Sequence, residues 1–211
     1  MEFTTTAMSR PDIINKTYHS FSKNLKGIDF KKSTLYINID PLPKGNNTLR
    51  VVEVAYKYFG NVVYNTPEKP NFTNAVNWCW MNAKEDIIFH LEDDWIMTEL
   101  VDVLPLIDKL NNSKLFSIPF RKTMNFPYDK PSLSPSFLHN RFYKAVAGRL
   151  DSKLNPEIQL RGKNFGIDMG PRQGIVDGYS DHAVIQDIGR EWIDKTKYKK
   201  PKTKSEFVSW I

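Results

Sequence analysis

The chain is 211 residues long, 40% hydrophobic and 26% charged, with a single cysteine and a formal net charge of +6. That length carries one sizeable core without disulfides or structural metal, and the hydrophobic share excludes a disordered chain. One cysteine excludes a disulfide framework, and no apolar run approaches the length a bilayer requires. Met1-Glu2-Phe3-Thr4-Thr5-Thr6 lacks the basic and apolar regions of a signal peptide, so the expected compartment is the cytoplasm. Cys79, between Trp78 and Trp80, reads as packing rather than as a nucleophile.

Charge is unevenly spread. Residues 1–120 carry 13 Lys/Arg against 14 Asp/Glu, whereas residues 121–172 carry 10 against 4. Six further lysines fall between Lys195 and Lys204 with no acid among them. Such a distribution suits a polyanionic partner, or is a solvated surface.

In chain order, Phe3–Met8 is a threonine-rich strand. Ser9-Arg10-Pro11-Asp12 reads as a helix start, with Ser9 to cap it, Pro11 in the first turn and Asp12 completing a capping box. Ile14, Tyr18, Phe21 and Leu25 then recur at helical spacing. Thr34–Ile39 alternates as a strand and stops at Asp40-Pro41. Asn47 is placed to cap a helix through Phe59, with Gly60 to end it. Asn61–Tyr64 is a third strand, and Asn71 can cap a helix running to about Ala83. Asp86–Leu91 is the continuous apolar run of a central strand. This alternation predicts an α/β domain with a mostly parallel sheet and helices on both faces. Ligands of such sheets bind beyond the carboxyl ends of the strands, here the loops at Ser9–Arg10, Asp40–Gly45, Thr66–Asn74 and Glu92–Trp95. Neither GxxxxGK[ST] nor GxGxxG occurs, so no phosphate loop or dinucleotide fingerprint supports the reading.

Glu92-Asp93-Asp94 follows the buried strand. Consecutive carboxylates there repel one another, and a Mg²⁺ or Mn²⁺ ion relieves that repulsion while accepting substrate phosphates into its coordination sphere. An ordinary acidic turn is the competing reading.

The arrangement resembles the GT-A fold glycosyltransferases, especially the broad family 2 type. Three segments carry the likeness: Thr5-Thr6-Ala7-Met8-Ser9-Arg10-Pro11-Asp12 as the opening strand and turn, Asp40 at the end of the second strand, and Glu92-Asp93-Asp94 as the "DXD" motif. Phe89-His90-Leu91-Glu92-Asp93-Asp94-Trp95 and the shortness of the chain resemble phage-type members. The resemblance implies a nucleotide-sugar donor, expected to be a UDP-hexose. It implies that Thr6, Met8 and Arg10 line the nucleotide pocket, with Asp40 at the base or ribose, Asn74 near the nucleotide and Asp93 at the ribose or sugar. Met8 stands where an aromatic residue is common. Asp94 is the implied principal metal ligand, with Glu92 in the first acidic position. A histidine often completes the family's site near the C-terminus. Here Val184-Ile185-Gln186-Asp187-Ile188-Gly189 resembles that segment with Asp187 in the histidine's place and His182 close by, so either can serve.

Transfer to a hydroxyl with inversion needs a carboxylate to take the acceptor's proton. The resemblance places it at a helix start, and Asn155-Pro156-Glu157 supplies Glu157, with Asp151 as the alternative. The chain then reads as one catalytic domain over residues 1–194, with a donor half to 95 and an acceptor half after it, followed by a basic tail over 195–211. Arg121, Arg141, Lys144 and Arg161 lie in the acceptor half, interleaved with Phe126, Tyr128, Phe142 and Tyr143. Basic side chains among aromatic platforms suit DNA carrying hydroxymethylated pyrimidines, whose modified base must be flipped out. A glycan, lipid-linked or protein acceptor is the rival reading. A nucleotidyltransferase, or a nucleic-acid-binding module without catalysis, stands for the other classes.

Overall fold

The protein is described from a computed structural model that places residues 1–43, 47–120, 133–162, 165 and 183–196. The elements are β1 (Glu2–Met8), α1 (Pro11–Asn24), β2 (Leu25–Lys26), β3 (Thr34–Asp40), α2 (Thr48–Tyr58), β4 (Asn61–Asn65), α3 (Phe72–Asn82) and β5 (Ile87–Glu92). There follow β6 (Trp95–Met97), β7 (Val101–Asp102), α4 (Leu104–Asn111), β8 (Ser117–Pro119), β9 (Ser136–His139), α5 (Asn140–Val146), α6 (Pro156–Gly162), β10 (Ile185–Asp187) and α7 (Gly189–Asp194).

Six strands form the main sheet in the order β4-β3-β1-β5-β9-β8. The first four run parallel, and β9 enters antiparallel between β5 and β8. Strand β1 is buried along its whole length because it lies inside the sheet with helices over both faces. One face gathers Phe3, Ile14, Tyr18, Phe21, Phe59 and Phe89 under α1 and α2. Phe89 sits at the centre, with ring centroids of Phe3 at 5.5 Å and Phe137 at 4.9 Å. The other face packs Val76, Cys79 and Trp80 of α3 against Ile88, Leu138, Phe142 and Tyr143. Cys79 is fully buried, and its thiol is pushed up to about 12 by that burial, as expected of inert packing. The short pair β6–β10 is antiparallel and sets Trp95 opposite Asp187.

The predicted strands and helices are present, but three of their end signals act differently. The Ser9 hydroxyl does not cap α1; it donates to Asp40 O at 3.3 Å and meets Thr48 Oγ1 at 2.9 Å. Arg10 holds the cap position without a side-chain bond to the helix's own N–H groups, so no capping box forms with Asp12, and Pro11 marks the start. Asn47 precedes α2 without a side-chain cap, because its backbone is already helical (φ −99°, ψ −3°). Gly60 does not end α2 through a left-handed turn. It is glycine because a β-carbon there would stand 2.0 Å from the Lys31 carbonyl oxygen. Asn71, by contrast, caps α3 as predicted, accepting from Asn74 N at 2.9 Å.

Candidate active site

Parallel register brings Met8, Asp40 and Glu92 to one edge of the sheet: Met8 pairs with Asp40, and Thr6 pairs with both Asn38 and Glu92. The chain turns from β1 into α1 at Arg10, whose guanidinium reaches across to the acidic turn after β5. Its Nε donates to Asp93 Oδ2 at 3.1 Å and its Nη2 to Asp93 Oδ1 at 2.6 Å. The same Nη2 donates to Asp94 Oδ2 at 3.0 Å. Burial works against the charge of Arg10, and the two carboxylates more than offset it, raising its pKa above the ordinary value. Trp192 of α7 covers the guanidinium at 4.8 Å.

Asp93 has partners within the protein besides Arg10. Its carboxylate accepts from Met8 N at 3.0 Å as well as from Arg10, its carbonyl accepts from Thr17 Oγ1 at 2.7 Å, and it is buried. With both oxygens engaged inside the protein, Asp93 and Arg10 together lock the acidic turn.

Asp94 remains open. Its side chain is 24% exposed, and its backbone carbonyl accepts from Ile188 N at 2.8 Å. Gly189 lies against it so closely that a β-carbon there would come within 2.1 Å of Asp94 Oδ2. Burial, then the charges of Asp93 and Asp187 against the pull of Arg10, push Asp94 up to about 6. Asp187 accepts from Gly189 N at 2.9 Å and pairs with Arg190 at 3.3 Å, which leaves it beside Asp94 at the partly exposed rim. His182, the other candidate in this segment, lies outside the described residues.

Glu92 is half-buried and accepts from Trp95 Nε1 at 2.9 Å. Burial, with the charges of Asp94 and Glu157, raises its carboxyl well above the ordinary range. Glu157, one of those charges, stands in the first turn of α6. Asn155 starts the turn, accepting from Ile158 N at 3.2 Å. Asp151 is exposed and bonds its own loop, accepting from Lys153 N at 2.9 Å.

At the other end of the edge, Asp40 accepts from Asn38 Nδ2 at 2.9 Å and from Asn71 N at 3.0 Å. Asn38 Oδ1 is in turn held by Asn65 Nδ2 at 2.6 Å. Burial pushes Asp40 up to about 7, opposed by the donors Asn38 and Asn71 and reinforced by Asp93. Asn38, Asn65 and Asn71 escaped the sequence reading of the site. The available signal was Asn38 itself, a polar residue inside an otherwise apolar strand. Asn74 is exposed on the first turn of α3, near this end.

The basic residues divide. Arg141 and Lys144 lie on α5, which begins where β9 ends, and β9 runs against β5, with His139 opposite Ile87. They therefore emerge at the amino end of β5, about 15–17 Å along the sheet from Glu92 at ~3.3 Å per residue. Arg141 Nη2 donates to Leu110 O, Ser113 O and Leu115 O, and Lys144 Nζ to Lys84 O at 2.9 Å. These two cations hold loops together and do not face the site expected for an acceptor. Arg161 is on α6, half-buried, and Arg121 lies outside the described residues. No helix among the described residues is long and apolar enough to cross a membrane.

No family model and no curated protein matches the chain. Solved structures do. TarS residues 1–349 from S. aureus align with a TM-score of 0.62 at 14% identity, over 90% of this chain and 61% of theirs. The same fragment in complex with UDP-GlcNAc gives 0.57 at 14%, over 88% and 58%. The mannosyltransferase PcManGT from Pyrobaculum calidifontis, in complex with GDP-Man and Mn²⁺, gives 0.57 at 9%, over 74% and 49%. The chain spans about half to three-fifths of these proteins. The architecture they share with it, a mostly parallel central sheet with helices on both faces, is the GT-A fold.

Proposed function

We propose that the chain is a metal-dependent glycosyltransferase that moves a sugar from a nucleoside-diphosphate donor to an acceptor hydroxyl. The observation that carries this reading is the acidic turn Glu92-Asp93-Asp94 at the carboxyl end of β5, on the same sheet edge as Asp40, with Asp93 and Arg10 fixing the turn and the β6–β10 pair setting Asp187 opposite Trp95. A fold shared with a mannosyltransferase bound to GDP-Man and Mn²⁺, and with TarS bound to UDP-GlcNAc, supports it.

The residues fit a divalent cation of the hard type. Among the described residues no three His, Cys, Asp or Glu side chains converge as a ready cage. Asp94 and Asp187 instead stand partly exposed, with Asp187 opposite Trp95 in the β6–β10 pair next to Asp94, which suits an ion taking few protein oxygens and the rest from water and diphosphate. Mg²⁺ or Mn²⁺ held there supplies positive charge for the departing diphosphate. Glu92, tied to Trp95, is assigned to the acceptor side of the site. Asp40, fixed by two donors, presents its remaining acceptor capacity to a base bearing an imino N–H, such as uracil or guanine. Thr6 and Met8 form the floor between Asp40 and Glu92. Glu157 takes the proton of the acceptor hydroxyl while that oxygen bonds the anomeric carbon. The bond from that carbon to the diphosphate breaks, and its electron pair leaves with the diphosphate.

DNA bearing hydroxymethylated pyrimidines loses the support of Arg141 and Lys144 and keeps that of the basic sequence in residues 121–172 and the tail. Release of UDP or GDP from a panel of nucleotide-sugars, measured with Mn²⁺ and with or without such DNA, tests the reading. Metal-dependent release that disappears in Asp94→Ala is expected. Stimulation by DNA assigns the acceptor, indifference to DNA moves it to glycans, lipids or proteins, and no release from any donor refutes the transferase.

A further inference from the structure

Glu157 reaches the cleft from a stretch with almost no regular structure. Between α5 and α6 the chain passes from Ala147 to Asn155, and its carbonyls are taken up by side chains. Three residues on α3 and its cap supply much of that support. Asn77 Nδ2 donates to Leu150 O at 3.0 Å, and Asn77 Oδ1 accepts from Gly148 N at 3.0 Å. Thr73 Oγ1, on a fully buried residue, donates to Leu154 O at 2.6 Å. Asn71 Nδ2 donates to Ser152 O at 2.9 Å. Gln159 of α6 closes the loop from the other side, accepting from Asp151 N at 2.7 Å and donating to Asp151 O at 2.9 Å and Leu154 O at 3.0 Å.

Asn71 differs from the rest in what its other atoms do. Its side-chain oxygen caps α3 through Asn74 N, and its backbone N–H donates to Asp40 Oδ2 at 3.0 Å. One residue thus touches the carboxylate at the donor end of the cleft and the backbone of the loop that carries the base at the other. A carbonyl inside such a loop is restrained only by its hydrogen bond, so the Asn71 amide sets where Ser152, and five residues later Glu157, can stand.

We infer that Asn71 is a positioning residue that couples nucleotide occupancy at Asp40 to the placement of Glu157. The inference rests on the transferase reading for the roles of Asp40 and Glu157. A nucleotide that fixes Asp40 also fixes the Asn71 amide, and through it the 148–157 segment. Asn71→Ser isolates the contact, since serine still caps the helix and still offers its backbone N–H to Asp40 but lacks the amide N–H that reaches Ser152 O, its shorter hydroxyl being held at the cap.

The experiment uses the whole chain with UDP and GDP as probes, and hydrolysis of the corresponding nucleotide-sugars to water as an acceptor-independent rate. Wild-type protein binds one of these nucleotides and gains amide-exchange protection across residues 150–158. Asn71→Ser binds it within about two-fold but loses that added protection, and its hydrolytic kcat falls about ten-fold or more with KM little changed. In the Glu157→Gln background, Asn71→Ser has no further effect on kcat, because the group it positions is gone. Thr73→Val, which removes the neighbouring strap, reproduces the loss, and Thr73→Ser restores the rate. Equal protection and equal kcat in Asn71→Ser and wild type overturn the coupling while leaving the transferase intact. Additive losses with Glu157→Gln overturn it as well, by showing a merely structural role. Failure of wild-type protein to bind either nucleotide overturns the site assignment itself, and the coupling with it.

Discussion

Arg10 and Asp93 face each other as a parallel fork, Nε to Oδ2 at 3.1 Å and Nη2 to Oδ1 at 2.6 Å, with both side chains about 95% withdrawn from solvent. The pair joins the first turn of the chain to the turn after β5, and Met8 N adds a third donor to the same carboxylate. Breaking such a pair from one side leaves a charge in a dry place. Asp93→Asn is therefore expected to lose about 3–5 kcal/mol in urea unfolding, and Arg10→Met in the same chain to recover part of it. A loss below about 1 kcal/mol would show the fork to be dispensable.

Gly189 gives Asp94 its room. Because a β-carbon there would fall 2.1 Å from Asp94 Oδ2, Gly189→Ala has to push the carboxylate or α7 aside. The expected result is a stability loss of about 1–3 kcal/mol together with at least a ten-fold weaker affinity for Mn²⁺ in the presence of UDP, read by electron paramagnetic resonance. Unchanged Mn²⁺ affinity would remove Asp94 from the ion's coordination.

The Asp40 carboxyl stands at about 7 in the folded protein against an ordinary value of 3.8. Between those values the native state keeps a proton that the unfolded chain has released, so stability from this group is greatest below about pH 4 and declines as pH rises through 7. Binding runs the other way. An imino N–H bonds the ionised carboxylate more strongly than the neutral acid, so UDP affinity should fall, by up to ten-fold for each pH unit, below about 7. Isothermal titration from pH 5 to 8 checks this, and Asp40→Asn should bind weakly and without that slope.

Gly60→Ala tests a glycine whose reason lies in packing alone. The added methyl would meet the Lys31 carbonyl at 2.0 Å, so a loss of about 1–3 kcal/mol is expected, with nucleotide affinity unchanged because the position is remote from the carboxyl edge.

How much of this was legible beforehand varied with the physics involved. The apolar run ending in Glu92-Asp93-Asp94 located both the central strand and the acidic turn, since a strand buried on both faces leaves its mark in every residue. Asn71 was readable as a cap because nothing else competes for its oxygen. Ser9 was not, because Asp40 O and Thr48 Oγ1 offer its hydroxyl tertiary partners that no local pattern encodes. The relay from Asn65 through Asn38 to Asp40 depends on strand register, and the straps from Asn71, Thr73 and Asn77 depend on which loop happens to lie over α3. Arg141 and Lys144 were misplaced for a single topological reason. Composition does not say that β9 runs backwards, and a reversed strand delivers its following helix to the far end of the sheet.

The pairing of β10 with β6 also has a history during synthesis. Asp187 and Gly189 leave the ribosome roughly ninety residues after the turn they complete, at a separation that makes this contact among the slowest to form. Arg10, by contrast, is made long before Asp93 and Asp94 and is waiting when they appear. A nascent chain therefore meets its acidic turn with one of the three carboxylate charges already balanced from within. The exposed rim for a divalent ion comes into being only when the last strand arrives, so chains interrupted before residue 185 should be folded in large part yet unable to hold the ion.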